Sequence, residues 1–193
     1  MLSVLLAGAL VAAPLPSPLA PAEALKAFEA APGLNVELVA AEPLVASPCA
    51  IAFDSKGRLF VAENRGYPIG PKEGEKPAGV IALLEDTDGD GQMDKRTVFA
   101  DGLTFPNGVL PWGGGLIITC APDVLLLKDT DGDGRFDKST VFADNLPWPT
   151  GLIWAKGGLF VGATPDIWRF EDRAGRGVAD HREKVFTGFG TGL

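Results

Sequence analysis

Sliding the chain along itself exposes an internal repeat. DTDGDGQMDKRTVFADGLTFPNGVLPWGGGLIITCAPDVLLLK at residues 86–128 lies without a gap over DTDGDGRFDKSTVFADNLPWPTGLIWAKGGLFVGATPDIWRFE at residues 129–171, a period of 43 with 21 identical positions. A third copy opens in phase at Asp172 with DRAGRGVAD, slips by one residue before residues 185–186 and runs to Leu193. A partial copy, SPCAIAFDSKGRLFVAEN at residues 47–64, precedes the pair and matches residues 105–122. Self-similarity at this period means one supersecondary unit that cannot bury its apolar surface alone and stacks on its neighbours.

The unit reads as four strands. Residues 50–53, 59–62, 80–84 and 97–100 are short apolar runs bounded by Gly, Pro or Asp, the pattern of strands joined by turns. With 25 glycines, 16 prolines and no long run of strong helix formers beyond residue 31, an all-helical bundle is excluded. Four strands in about 43 residues is the size of a β-propeller blade, so the expected fold is all-β, a propeller of four-stranded blades; a β-solenoid or a tandem of hairpins is the alternative. Propellers close with about 4–8 blades, and this chain holds about three and a half blade equivalents. It is therefore expected to be the amino-terminal piece of a longer protein, or to associate so that its open edge is covered. The stop in GFGTGL, inside a copy, favours the first.

Each full copy carries D-T-D-G-D-G-x-x-D. Carboxylates at loop positions 1, 3, 5 and 9, a glycine turn at 6 and a main-chain carbonyl at 7 form an oxygen-only set suited to a hard divalent cation, Ca²⁺ foremost. One site would use Asp86, Asp88, Asp90 and Asp94 with the carbonyl of Gln92. The second would use Asp129, Asp131, Asp133 and Asp137 with the carbonyl of Arg135. An unmetallated acidic turn is the plainer reading. The bidentate Glu that closes a helix–loop–helix calcium site at position 12 is replaced by Thr97 and Thr140, and the flanks are strand-like, so the expected role is structural. In the third copy Asp172 and Asp180 persist while Ala174 and Arg176 replace two ligands. No cation is expected there, and the Arg176 guanidinium can take its place.

Charge sharpens this reading. The net charge of −8 comes from 25 acids against 17 bases, and the eight loop aspartates account for the imbalance. A nucleic-acid binder needs a basic surface to displace counterions from phosphates, so that class is excluded. Residues 2–13, LSVLLAGALVAA, are apolar but too short to span a bilayer. They run into small residues and prolines, which predicts an export signal cut between Ala13 and Ala24, with a retained anchor as the alternative. Residues 1–24 are thus expected to be a signal peptide with a Pro/Ala-rich segment, residues 25–193 a partial propeller, and the location periplasmic, cell-surface or extracellular. Cys49 and Cys120 fit one disulfide or two buried thiols, and show neither metal spacing nor a CxxCH haem site.

The run from PAEALKAFEAAPGLNVELVAAEPLVASPCAIAFDSKGRLFVAENRGYPIG through GVIALLEDTDGDGQMDKRTVFADGLTFPNGVLPWGGGLIITCAPDVLLLKDTDGDG resembles the opening of the PVC-type membrane-bound dehydrogenase-like proteins of planctomycetes and verrucomicrobia. These are similar to the propellers of pyrroloquinoline-quinone (PQQ) dependent glucose and sorbosone dehydrogenases, and many continue into helical-repeat and haem c domains. The resemblance implies an exported redox scaffold acting on a sugar or alcohol, with PQQ and Ca²⁺ as cofactors. Its partners would be the rest of the propeller and a downstream haem c domain. A non-catalytic, calcium-stabilised propeller that binds a ligand or a protein is the competing reading.

Propeller ligand sites gather at one mouth of the channel, which here would bring Glu63, Asn64, Arg65 and Tyr67 near Asn107, Asp123 and Asp166. Glu63 is the candidate general base and Arg65 the candidate holder of an anionic or quinone oxygen, against simple turn closure. The single histidine, His181, follows the degraded loop and is read as a surface residue. Trp112, Trp148, Trp154 and Trp168 are read as packing between blades, with sugar stacking as the alternative.

Overall fold

A computed structural model describes residues 17–190. The expected signal segment, residues 2–13, lies outside the described residues. The chain divides into two units, residues 1–38 and 39–193. In the first, α1 (Pro21–Lys26) is a short helix with proline in its first turn, an acid at Glu23 near its positive end and Lys26 in its last turn. No helix among the described residues is long and apolar enough to cross a membrane.

The second unit is all-β. Twelve strands make three four-stranded antiparallel sheets in chain order. Sheet one holds β1 (Pro48–Phe53), β2 (Leu59–Glu63), β3 (Gly79–Glu85) and β4 (Lys95–Leu103). Sheet two holds β5 (Pro106–Trp112), β6 (Gly115–Cys120), β7 (Asp123–Lys128) and β8 (Lys138–Ala143). Sheet three holds β9 (Pro149–Ala155), β10 (Gly158–Ala163), β11 (Asp166–Glu171) and β12 (His181–Thr187). The 43-residue frame cuts through these sheets: the acidic loops join the third strand to the fourth, so the partial copies at either end of the frame are portions of sheets one and three. The described residues therefore form three propeller-like blades.

Register repeats as faithfully as sequence. Leu59 faces Leu84, Leu116 faces Leu127 and Leu159 faces Phe170 at equivalent points of the three central pairs. A bulge recurs where β4, β8 and β12 pair with their neighbours, leaving Phe99, Phe142 and Val185 as the extra residues. Val185 lies 43 residues beyond Phe142, so the one-residue slip read in the sequence is absent from the backbone. Phe186 has moved to the pairing position opposite Ile167, and the strand itself stays in phase.

The central strands of sheets one and two are buried on both faces because each of these sheets is covered on either side, whereas sheet three is covered on the face toward sheet two. Phe60, Ala62, Ile81 and Leu83 of sheet one meet Leu116, Ile118 and Leu127 of sheet two. Ile117, Val124 and Leu126 on the other side of sheet two meet Leu159, Val161 and Phe170 of sheet three. The remaining face of sheet one, with Leu59, Val61, Ala82 and Leu84, is covered by Val39, Ala40 and Leu44. Neighbouring inner strands approach so closely at Gly108 that a Cβ there would run into the Leu152 side chain and the Thr150 carbonyl.

Ile117→Ala removes a fully buried side chain between two sheets and is expected to cost about 2–5 kcal/mol in denaturant unfolding. Ile153→Ala, at a largely exposed position, should stay within about 0.5 kcal/mol. Equal losses at the two positions would contradict this packing.

Candidate functional site

The acidic loops are tight turns built by their own aspartates. In the first, Asp86 accepts the N–H groups of Gly89 and Gly91 at 2.7 and 2.9 Å, and Asp94 accepts the Thr87 N–H and hydroxyl. In the second, Asp129 accepts Gly132 and Gly134 at the same two distances, and Asp137 accepts Thr130. Gly89, Gly91, Gly132 and Gly134 all have φ between 81° and 91°, where a side chain would strain the turn. The outcome is a convergence of charge: carboxylate oxygens of Asp86, Asp88 and Asp94 lie within 4.8 Å of one another, as do those of Asp129, Asp131 and Asp137.

Three of the four aspartates expected in each loop are thus brought together. Asp90 and Asp133 stand apart from these groups, each accepting the N–H two residues on, from Gln92 and Arg135, at 2.7 Å. The Gly91 and Gly89 N–H groups hold the Asp86 carboxyl below the usual carboxylate range, and the Thr130 hydroxyl does the same for Asp137. Such bonds keep the acids ionised at neutral pH, and close like charges favour a cation among them. In the third loop Asp172 accepts the N–H groups of Arg176 and Gly177 at 2.9 and 2.6 Å, the first of them one residue later than in the other loops, and the Arg176 guanidinium stands 3.8 Å from Asp180.

A further link escaped the sequence reading. The residue before the last aspartate of each loop donates its N–H to the preceding layer: Met93 to the Val39 carbonyl at 2.8 Å, Phe136 to Phe99 at 3.0 Å and Ala179 to Phe142 at 2.8 Å. The apolar residues at this position, set inside an otherwise polar loop, were its only sequence signal. Each loop therefore ties its own sheet to the layer behind it.

The residues expected at the channel mouth sit at the other end of the sheets. Glu63, the last residue of β2, has no exposed surface. Its carboxylate accepts the Ala46 N–H at 3.0 Å and is clamped by Arg65 and by Arg96 at 2.8 Å, while Arg96 also donates to the Leu44 carbonyl. In this ion triad Glu63 is buried while Arg65 stays partly exposed, and the carboxylate, read in the sequence as a candidate base, is committed to holding two arginines and residues 44–46 against sheet one. Arg65 is engaged by the same carboxylate.

Beside this triad lies a depression of about 440 Å³ lined by Ser47, Pro48, Cys49, Asn64, Tyr67 and Asn107. Asn64 donates to Asn107 Oδ1 at 2.9 Å, and its own Oδ1 is buried without a partner. The Cys49 thiol donates to the Pro106 carbonyl at 3.1 Å, and burial pushes its pKa up. Both cysteines are free thiols. Asp123 opens β7, and Asp166 opens β11 with its carboxylate held by the Thr187 hydroxyl at 2.6 Å and Lys184 at 2.9 Å, which lower its pKa in that order. His181 starts β12 at the opposite, loop-bearing end. Trp112 and Trp154 stack with centroids 4.7 Å apart in the packing between sheets two and three, joined there by Trp168. Trp148 is exposed beside Phe105.

PQQ is a tricarboxylate quinone and needs cations to hold it. The depression is lined by uncharged groups, and Arg65, Arg96 and Lys184 are each taken up by an acid of this chain. These residues do not fit the quinone.

A family model described as "Domain of unknown function (DUF7133)" matches residues 20–135 and again 124–192. None of the curated proteins matches the sequence. Among solved structures, a nidogen/laminin complex is 16% identical with a TM-score of 0.50, over 73% of this chain and 48% of that one. The calcium structure of a Trichoderma reesei carbohydrate-active enzyme of family AA12 is 18% identical with a TM-score of 0.45, over 65% of this chain and 31% of that one. Identities this low speak to fold alone, and the chain spans less than half the length of either structure.

Glu63→Gln removes the charge shared by two partly exposed arginines and is expected to cost about 1–3 kcal/mol of stability; no loss in denaturant unfolding would reject the clamp. Asp86, Asp137 and Asp166 have folded pKa values below their unfolded value of about 3.9. Their contribution to stability is present above that value and disappears as pH falls through the folded values. The thermal midpoint of protein stripped of Ca²⁺ at neutral pH and dialysed into calcium-free buffer should therefore drop between pH 5 and pH 3, whereas a rise over that span would reverse the sign.

Proposed function

The chain belongs to the DUF7133 family, and from that premise we propose that it is part of an exported propeller-like scaffold, stiffened by Ca²⁺, that binds a ligand at the mouth opposite its metal loops. The carrying observation is the pair of three-carboxylate groups on loops that also hydrogen-bond the preceding layer. A divalent cation there would neutralise ionised acids held close together and lock the junction between layers at the same stroke. All the carboxylates of a loop come from one local turn, which suits a structural ion.

Ligand binding falls to the uncharged depression, where the buried Asn64 Oδ1 has no donor. A ligand hydroxyl or amide N–H reaching it would satisfy that acceptor. The redox reading, a PVC-type dehydrogenase-like protein using PQQ on a sugar or alcohol, rests on sequence resemblance. It would need its cationic and basic groups from polypeptide outside these residues, as it would a haem c domain.

Calorimetric titration of the full chain with CaCl₂ should report two sites, and Asp88→Ala together with Asp131→Ala should abolish both. At a calcium concentration one hundred times Kd, each site should add about 2.7 kcal/mol of stability, read as a fall in thermal midpoint when EGTA is added. Absence of a calcium heat would reject the proposal. Dye reduction on adding PQQ and Ca²⁺ with aldoses or alcohols, lost in Arg65→Ala, would restore the redox reading for this chain.

A further inference from the structure

The junction between sheets two and three is closed at its loop-bearing end by two indoles. Trp112 stacks on Trp154 with centroids 4.7 Å apart and meets the Phe142 ring edge-on at 5.8 Å. Strand pairing and the 43-residue spacing identify the counterparts of these residues one junction earlier. Phe99 stands there for Phe142 and Pro111 for Trp154. Asp54, one step beyond the Phe53–Leu59 pair, stands for Trp112, one step beyond the Pro111–Leu116 pair. Between sheets one and two both indoles are therefore missing, with a carboxylate and a proline in their places.

A cleft of about 480 Å³ remains there, lined by Asp54, Phe99 and Pro111 themselves, by Lys56, Arg58 and Phe60, and by the turn at residues 113–115. Phe60 and Phe99, edge to face at 5.2 Å, give it an aromatic floor. A Cβ on Gly113 or Gly114 would meet nothing within 4 Å, so this turn puts no side chain over the cleft. The charges of the lining are unevenly spent. Asp54 accepts the N–H groups of Lys56 and Arg58 at 2.9 and 3.0 Å and Arg58 Nε at 2.8 Å. Asp129, which also lines the cleft, is taken up by Gly132 and Gly134. The Lys56 ammonium has no acid partner among the described residues, and Arg58 commits Nε alone, its guanidinium lying over the Phe60 ring at 5.7 Å.

We propose that this cleft receives an aromatic side chain of indole size from another polypeptide, with a neighbouring acidic residue of that partner on Lys56 and Arg58. The ring is specified by the next junction, where the same space holds tryptophan, and by Phe60 and Phe99, whose faces and edges reward a further ring. The acid is specified by the uncommitted donors of Lys56 and Arg58. Aromatic residues seated in a pocket are the usual anchors of a protein interface. The cleft stands at the opposite end of the sheets from the uncharged depression, and none of these contacts needs Ca²⁺, so its test is independent of the calcium titration.

The probe is the peptide acetyl-Ala-Trp-Asp-amide, titrated into the full chain while backbone amide resonances are followed by NMR. Saturable shifts are expected at residues 54–58 and 113–115. Acetyl-Ala-Trp-Asn-amide, which lacks the charge, should bind about three- to tenfold more weakly, and so should the charged peptide to Lys56→Ala with Arg58→Ala. Pro111→Trp, which installs the sheet-three residue, should abolish binding and leave the thermal midpoint in place. Shifts that do not saturate, shifts gathered around Asn64 instead, equal binding of the two peptides, or binding that survives in folded Pro111→Trp protein would overturn the proposal. So would tighter binding of free N-acetyltryptophan, which would make the occupant a small molecule, or shifts at residues 54–58 that follow the chain's own concentration without peptide, which would make it a second copy.

Discussion

A four-stranded sheet whose strands run five to nine residues has two faces and little else, and in this protein both faces are apolar. Along β3 every residue from Gly79 to Leu84 is buried, so burial cannot follow the usual alternation of a sheet with one wet side. Such a sheet gains stability from each face that is covered, and the order of the molecule follows from this. Layers stack in chain order, their central strands carry near-continuous hydrophobic runs, and polar chemistry is confined to the two ends where loops emerge.

The two ends then do different work. At one, aspartates that cap their own turns crowd into three-carboxylate groups, and the same turns reach back to the layer behind. At the other, charge is cancelled internally: Glu63 by Arg65 and Arg96, Asp166 by Lys184. Also there is an acceptor without a donor, Asn64 Oδ1, beside neutral side chains. The chemistry of the first end would suit a cation and that of the second an uncharged donor.

Much of this was legible in the sequence because a repeat reports on structure twice. Four strands per unit, the loops between third and fourth strands, and the packing of Trp112 and Trp154 all followed from apolar runs placed between Gly, Pro and Asp. The role of Glu63 was not legible. A carboxylate at a strand end next to Arg65 looks the same in sequence whether it faces a ligand or a buried clamp, and its second partner, Arg96, is 33 residues away. The apparent slip at residues 185–186 misled for a related reason: matching letters favoured Val-Phe over Val-Phe, whereas hydrogen bonding counts residues and kept the bulge at Val185. The link from each loop to the layer behind left only an apolar donor residue as its trace, because its acceptor is a main-chain carbonyl, which every residue owns.

That last property has an evolutionary side. A junction made by a loop N–H and a backbone oxygen places no demand on the side chain at the acceptor, and Val39, Phe99 and Phe142 serve it alike. Duplicating a unit therefore carries its own connector along, and the new copy can seat on whatever layer precedes it without a compensating substitution. Drift can then thin an acidic loop, as in DRAGRGVAD, while the joint persists through Ala179. Growth by tandem copying is open to such a chain in a way it is not to one whose layers are keyed together by paired side chains.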